Sequence, residues 1–269
     1  MRFGLIHYNA PGDTLEAFLD YAAQTGFDAV ELQIGDVWDE RNPDDDPEAR
    51  AVAVRQMAED RGVAIGALAA SNDFLTLDPE EITFQVARMK RVCGLAKLLG
   101  TDIIRAEGGW QAEKVPEDRW ADALANCFRA CVPFLEEMEI CLGLDNHGKV
   151  TNDAYFQMLV LGLVGSKWVG TTMDTMNYRW MGYSLDRCNR FYELSAKRCV
   201  HLHLKDGTGS LGNYRGEALG DGEIDLAHAI RELKAAGYDG LWCCEYEGHD
   251  ADGYARCLAW AKANVPTIK

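Results

Sequence analysis

The chain has 269 residues, 48% of them hydrophobic, enough to bury one large core, and an α/β barrel commonly takes about this length as one domain. Lys and Arg number 27 against 43 Asp and Glu, a formal net charge of −16, and a field of that sign repels phosphate backbones and anionic membranes. Nucleic acid and membrane are therefore not expected as partners. Nine cysteines without a C-x-x-C pair fit a reduced, cytoplasmic chain better than a disulfide framework. The opening run is too short for a signal peptide, and no apolar stretch has the length to span a bilayer.

In chain order, β-rich runs alternate with helical stretches eight times. The expected strands are "FGLIHY" (3–8), "DAVELQI" (28–34), "VAIGALA" (63–69), "DIIRAE" (102–107), "ICLGLDN" (140–146), "WVGTTMD" (168–174), "CVHLHL" (199–204) and "LWCCEY" (241–246). Between them, 14–24, 47–61, 79–99, 117–137, 152–164, 185–196, 226–236 and 252–263 carry apolar residues at helical spacing. Pro133 is expected to kink the fourth of these helices. The strings "TGFDAVEL", "LGTDIIR" and "AGYDGLW" each place a glycine where a helix ends and the next strand begins. Eight β-then-α units predict a single (β/α)8 barrel over 1–269. Asp225 reads as the N-cap of the seventh helix. Cys243 and Cys244 read as buried apolar residues on opposite faces of the last strand. The acidic loop 35–47 reads as solvated chain.

Barrels of this kind do their chemistry at the C-terminal ends of the strands. The last four strands end in "LGLDNHG", "TTMDTMN", "HLHLKD" and "CCEYEG". Asp145, Asp174, His203 and Glu245 can converge as one set, three carboxylates and an imidazole. That donor set suits one divalent ion, Mn²⁺ or Mg²⁺ before Co²⁺ or Zn²⁺. His147 lies two residues beyond Asp145 and titrates near neutrality, which makes it the first choice for a proton carrier, with Glu245, Lys205 and Glu107 behind it. His7, Glu107, Asn177 and Trp110 are candidates for lining a substrate pocket. Trp38 and Trp180 sit in neighbouring loops, where their flat faces can stack on a ligand ring or pack the loop. His228 reads as structural, and His249 falls near the rim.

The strings "GFDAVEL", "LDNHG", "GTTMDTMN", "VHLHLKD" and "LGDGEIDL…GYDGLWCCEYEG", in this order, resemble the xylose isomerase-like barrels of the sugar phosphate isomerase/epimerase superfamily. The resemblance runs the length of the chain, and its second half carries the specific motifs. It implies a divalent metal on the four strand-end residues and proton abstraction beside a sugar carbonyl. Three departures separate this chain from the ketose 3-epimerases: Asp145 stands where relatives carry Glu, Asn177 where they carry His, and Gly209 where they carry Arg.

A second resemblance, to the barrel subunit of C-glycoside deglycosidases, rests on His147 following Asp145. It implies a lyase acting on 3-oxo-glycosides with a small partner subunit. The DNA-repair endonucleases of the same fold need further histidines where Ser71, Glu107 and Asn177 stand. A two-carboxylate glycosidase would pair Glu107 with Glu245, and the seventh strand's histidines argue against it. From another class comes a barrel that binds metal and sugar without catalysis. The expected ligand is a small carbohydrate. A homo-oligomer and a hetero-oligomer are both compatible with the sequence.

Overall fold

The structure is a computed structural model that describes residues 1–109 and 112–269. Among the described residues, eight parallel strands close into one barrel: β1 (Arg2–Ile6), β2 (Ala29–Gln33), β3 (Ala64–Ala69), β4 (Ile103–Ala106), β5 (Cys141–Asp145), β6 (Val169–Asp174), β7 (Cys199–Leu204) and, after a short hairpin, β10 (Leu241–Cys244). Each pairs with its sequence neighbour in the barrel, and β1 closes on β10 with Arg2 opposite Leu241. The expected (β/α)8 barrel is therefore the fold.

The helices around it are α1 (Leu15–Thr25), α2 (Pro47–Glu59), α3 (Pro79–Leu99), α4 (Trp120–Met138), α5 (Ala154–Val164), α7 (Leu185–Ser195), α8 (Leu226–Ala235) and α9 (Gly253–Asn264). A single helical turn, α6 (Asn177–Trp180), follows β6. The hairpin pairs β8 (Asp206–Thr208) with β9 (Arg215–Glu217) inside the glycine-rich loop after β7. α4 runs as one helix through Pro133. Asp225 caps α8 by accepting from the His228 amide, as its position suggested. Gly26 and Gly100 end α1 and α3 at φ of 90° and 86°, a conformation that costs glycine nothing and lets the chain reverse into the next strand.

The main core lies between barrel and helices. A second, small apolar group of Ile6, Ala29, Leu241 and Cys243 fills the lower lumen. Cys243 belongs to it and Cys244 to the outer core, so the two thiols do face opposite ways. Leu241 needs the room left by Gly4 and Gly66, where an added Cβ would come within 2.7 and 2.6 Å of its side chain. This apolar plug packs directly against a layer made almost entirely of ionisable side chains, with Cys243 within 4.8 Å of the ligand atoms of Glu31, His201 and His203.

Candidate functional site

Above the plug, alternation along each strand aims charged groups into the lumen. His201 and His203 on β7, and Lys205 just past its end, stand two residues apart and share the inward face. Glu31 from β2, Arg105 from β4 and Asp145 at the end of β5 reach the same space. Asp174 ends β6, and Glu245 follows β10. All eight are buried.

Two linked networks result. In the first, Glu31 Oε2 lies 2.5 Å from His201 Nε2 and 2.7 Å from His203 Nε2, while Arg105 Nε donates to Glu31 Oε1 at 2.9 Å. Arg105 Nη1 donates to Asp145 Oδ2 at 2.8 Å and stands 3.5 Å from Glu107 Oε1. In the second, Lys205 Nζ lies 2.9 Å from Glu245 Oε1, 3.0 Å from Glu247 Oε1, 3.2 Å from Asn177 Oδ1 and 3.5 Å from Asp174 Oδ2. His203 joins the two networks, its Nδ1 2.8 Å from Glu245 Oε2.

The electrostatics follow from burial and these partners. Burial opposes charge on Glu31, yet the adjacent His203 and His201 hold its carboxyl well below the ordinary range. Burial likewise opposes charge on His203, and Glu31 first, then Glu245, outweigh it and raise the imidazole. Glu245 is lowered against its burial by Lys205 and His203. Asp174 is pushed up to about 7, because burial dominates over Lys205. Burial pulls His147 below its usual value, which favours the neutral ring.

Asp174, His203 and Glu245 bring their ligand atoms within 4.8 Å of one another. Three of the four expected metal ligands are thus together. Asp145 falls outside this compact group: Arg105 holds its Oδ2, and its buried Oδ1 accepts no hydrogen bond. Asp174 Oδ1 caps the turn of α6 by accepting from the amides of Met176 and Asn177, while Oδ2 is buried without a hydrogen bond. Asn146 fixes the Asp174 backbone in both directions, its Oδ1 accepting from the amide and its Nδ2 donating to the carbonyl.

A cavity of about 410 Å³ opens over this layer, lined by Tyr8, Asn9, His147, Asn177, Trp180, Lys205 and Glu247 among others. His147, Asn177 and Lys205 therefore stand where their strand-end positions put them. His7 does not line it: its ring stacks on Phe18 at 4.1 Å and its Nδ1 lies 2.9 Å from Asp36. Glu107 is buried beside Arg105 rather than in the cavity wall, with Oε2 unpartnered among the described residues. Trp110, an expected sugar contact, lies outside the described residues. Trp38 packs against the core beneath Arg91 and Arg88, the loop-packing role rather than a wall of this cavity. His228 stands 3.5 Å from Glu193 at the helix surface, which agrees with a structural role. A larger cavity, about 560 Å³, opens at the opposite end of the barrel among Arg2, Lys167 and Lys197, away from the strand-end carboxylates.

Glu31 and Arg105 are the site groups outside the strand-end motifs; His201 and Glu247 stand within those motifs but are not among the residues chosen from them. The signal for the first two is a charged residue in the middle of an otherwise apolar strand.

The geometry is that of a β/α barrel with a polar, carboxylate-rich mouth. The chain belongs to the family described as xylose isomerase-like TIM barrel, which matches residues 19–264. Nothing among the curated proteins matches it. Among solved structures, a xylose isomerase-like TIM barrel/4-hydroxyphenylpyruvate dioxygenase fusion protein is similar at 19% identity and a TM-score of 0.77, over 96% of this chain and 41% of that one. This chain thus spans less than half of that fusion. The IolI protein with a bound zinc atom is similar at 15% identity and a TM-score of 0.80, over 100% of this chain and 99% of that one. The apo form of 3-keto-D-glucoside 4-epimerase from E. coli is similar at 14% identity and a TM-score of 0.76, over 98% of this chain and 99% of that one. Likenesses at this level of identity concern the fold.

Proposed function

We propose that this chain is a divalent-metal-dependent enzyme that moves a proton beside the carbonyl of a sugar or sugar derivative, with an isomerase or epimerase outcome. The observation that carries the reading is the compact buried set Asp174, His203 and Glu245, joined through Lys205 to a polar cavity that also holds His147.

The residues fit an ion. Asp174 Oδ2 is a buried carboxylate oxygen without a hydrogen bond, and the set offers two carboxylates and one imidazole. Asp145, with Oδ1 likewise unpartnered, is the fourth ligand of the reading. A mostly oxygen set favours Mn²⁺ or Mg²⁺ and also serves Co²⁺ or Zn²⁺. When bound, the ion would supply Lewis-acid polarisation of a carbonyl oxygen.

The chain's own groups do the rest. His147, kept neutral by burial, accepts the proton from the carbon next to the carbonyl, and the electron pair moves onto the carbonyl oxygen. Delivery of the His147 proton to the former carbonyl carbon, with the adjacent hydroxyl proton passing to the carbonyl oxygen, gives isomerisation; delivery of a proton from the Lys205 ammonium, held by Glu245, to the opposite face of the original carbon gives epimerisation. Asn177 and Lys205 hold sugar hydroxyls, and the Trp180 face packs against the ring. The similarity in fold to a 3-keto-D-glucoside 4-epimerase supports an oxidised sugar as substrate.

A second reading, elimination from 3-oxo-glycosides, begins with the same proton abstraction and is favoured by His147 in the cavity wall. The test is mass-spectrometric deuterium uptake from D₂O into a panel of ketoses, inososes and 3-oxo-glucosides, with metal-loaded protein. Uptake beside a carbonyl that His147→Ala and Glu245→Gln abolish is expected; aglycone release would move the assignment to a lyase. Stoichiometric metal with no uptake into any substrate would leave a binding protein and overturn the enzymatic reading.

A further inference from the structure

α5, "AYFQMLVLGLV", is apolar on every side. Its one polar side chain, Gln157, is buried and spent internally, its Nε2 donating to the Leu144 carbonyl and its Oε1 accepting from the Tyr178 hydroxyl. Ala154, Val160, Leu161 and Val164 face the core, yet the outer face is no more polar. Tyr155, Leu159 and Leu163 follow at intervals of four and are 50%, 53% and 39% exposed, and Leu185 at the start of α7 adds another exposed leucine. A surface helix ordinarily turns charged residues to water, and a helix apolar all round is one that becomes covered. Gly162 lies within the exposed stretch, and an added Cβ there would touch nothing within 4 Å. The chain's own packing therefore does not require the glycine, which costs helix stability but permits close approach of another backbone.

The charges at the two ends of the patch say what covers it. At the N-terminal end of α5 stand Asp153, the N-cap, and the exposed Asp186 of α7; the Asp153 carboxylate accepts from the Tyr183 hydroxyl, which ties the two helix starts together. Arg187, over the rings of Tyr155 and Phe191, offsets one of these two charges and leaves that end net negative. At the C-terminal end stand Arg129, whose Nη2 donates to the Leu163 carbonyl, and the exposed Lys167, whose Nζ lies 4.8 Å over the Trp168 ring. One end is acidic and the other basic, in a chain whose net charge of −16 would otherwise oppose self-association. A two-fold axis through the middle of α5 lays each acidic end on the other copy's basic end and sets the two helix dipoles antiparallel, each N-terminus beside the other's C-terminus. We propose that α5 packs antiparallel against α5 of a second copy of this chain, with Leu159 meeting Leu159 on the axis and Tyr155 meeting Leu163 on either side.

Light scattering coupled to size exclusion, at micromolar protein, is expected to give twice the 29.9 kDa chain mass. Leu159→Glu, at an exposed position, is expected to give a monomer with an unchanged circular dichroism spectrum and a melting point that no longer depends on protein concentration. Asp186→Lys is expected to weaken the dimer by about tenfold, and adding Lys167→Glu to restore it. The register is read by oxidation: Leu159→Cys should cross-link to itself, Tyr155→Cys should cross-link only when mixed with Leu163→Cys, and the parent chain should do neither. A monomeric parent chain, a Leu159→Glu variant that remains dimeric, or Tyr155→Cys cross-linking to itself would each overturn the proposal.

Discussion

Glu31 and His203, 172 residues apart, meet through a 2.7 Å contact between carboxylate and Nε2, and that contact turns His203 Nδ1 toward Glu245. A carboxylate on the far nitrogen fixes both the ring's orientation and the nitrogen left to face the ligand set. Glu31→Gln should therefore weaken divalent-metal binding by about 10 to 100-fold while the barrel stays folded. Equilibrium dialysis with zinc and a thermal melt check both halves of that statement. Unchanged affinity would reduce Glu31 to a partner for Arg105 and His201.

Lys205 acts as an internal counter-ion. Its ammonium touches Glu245, Glu247 and Asn177 and stands near Asp174, and these carboxylates raise its pKa well above the ordinary value despite burial. Removing one partner of a buried ionic cluster leaves charge uncompensated, at a cost of about 3–5 kcal/mol. Lys205→Met should therefore melt well below the parent in chelator, and added Zn²⁺ should raise its melting point by more than it raises the parent's. Equal melting points in chelator would show that the cluster is compensated in another way.

Much of the fold was legible because each local signal agreed with the next. The period of the apolar residues switches between strand and helix eight times, and glycines stand where α1 and α3 end. The strand-end motifs likewise pointed to Asp174, His203, Lys205 and Glu245, since alternation on β7 and position at the strand end depend only on local sequence. What escaped was long-range pairing. Arg105 finds Glu31 74 residues away, and Glu31 finds His201 170 residues away, so no spacing announces either. Nor does anything local reveal that Arg105 holds one oxygen of Asp145, which leaves only Oδ1 for the part of a ligand. The hairpin β8–β9 was hidden in a glycine-rich loop. It is organised by Asp206, whose carboxylate accepts from the amides of Gly207, Gly220, Gly222 and Ile224.

The plug beneath the charged layer makes its own demand. Gly66 leaves space for Leu241, and a methyl group there would stand 2.6 Å from Leu241 Cδ2. Gly66→Ala should destabilise the barrel by about 1–3 kcal/mol, the usual cost of overpacking. Trimming Leu241 to Ala in the same chain should recover part of that loss. Urea unfolding of the two single variants and the double variant tests this; strictly additive effects would mean that the strain lies elsewhere.

Glu107 gives the clearest dependence on pH. Burial, with added repulsion from Asp145 and Glu31, outweighs the pull of Arg105 and pushes its carboxyl from 4.5 up to about 7. The folded chain therefore holds this proton more tightly than the unfolded chain does. Between about pH 4.5 and 7 the folded state binds more protons, so the contribution of Glu107 to stability falls as pH rises and is most unfavourable above 7. The shift corresponds to about 3 kcal/mol at the outside. Glu107→Gln keeps the shape and removes the titration, so the variant should gain on the parent as pH rises, with near parity at pH 4.5 and the largest advantage at pH 8. Urea unfolding of both proteins at the two pH values isolates this group, because every other carboxylate is common to the pair. A difference that does not change with pH would mean that Glu107 stays ionised in the folded barrel, paired with Arg105 strongly enough to overcome its burial.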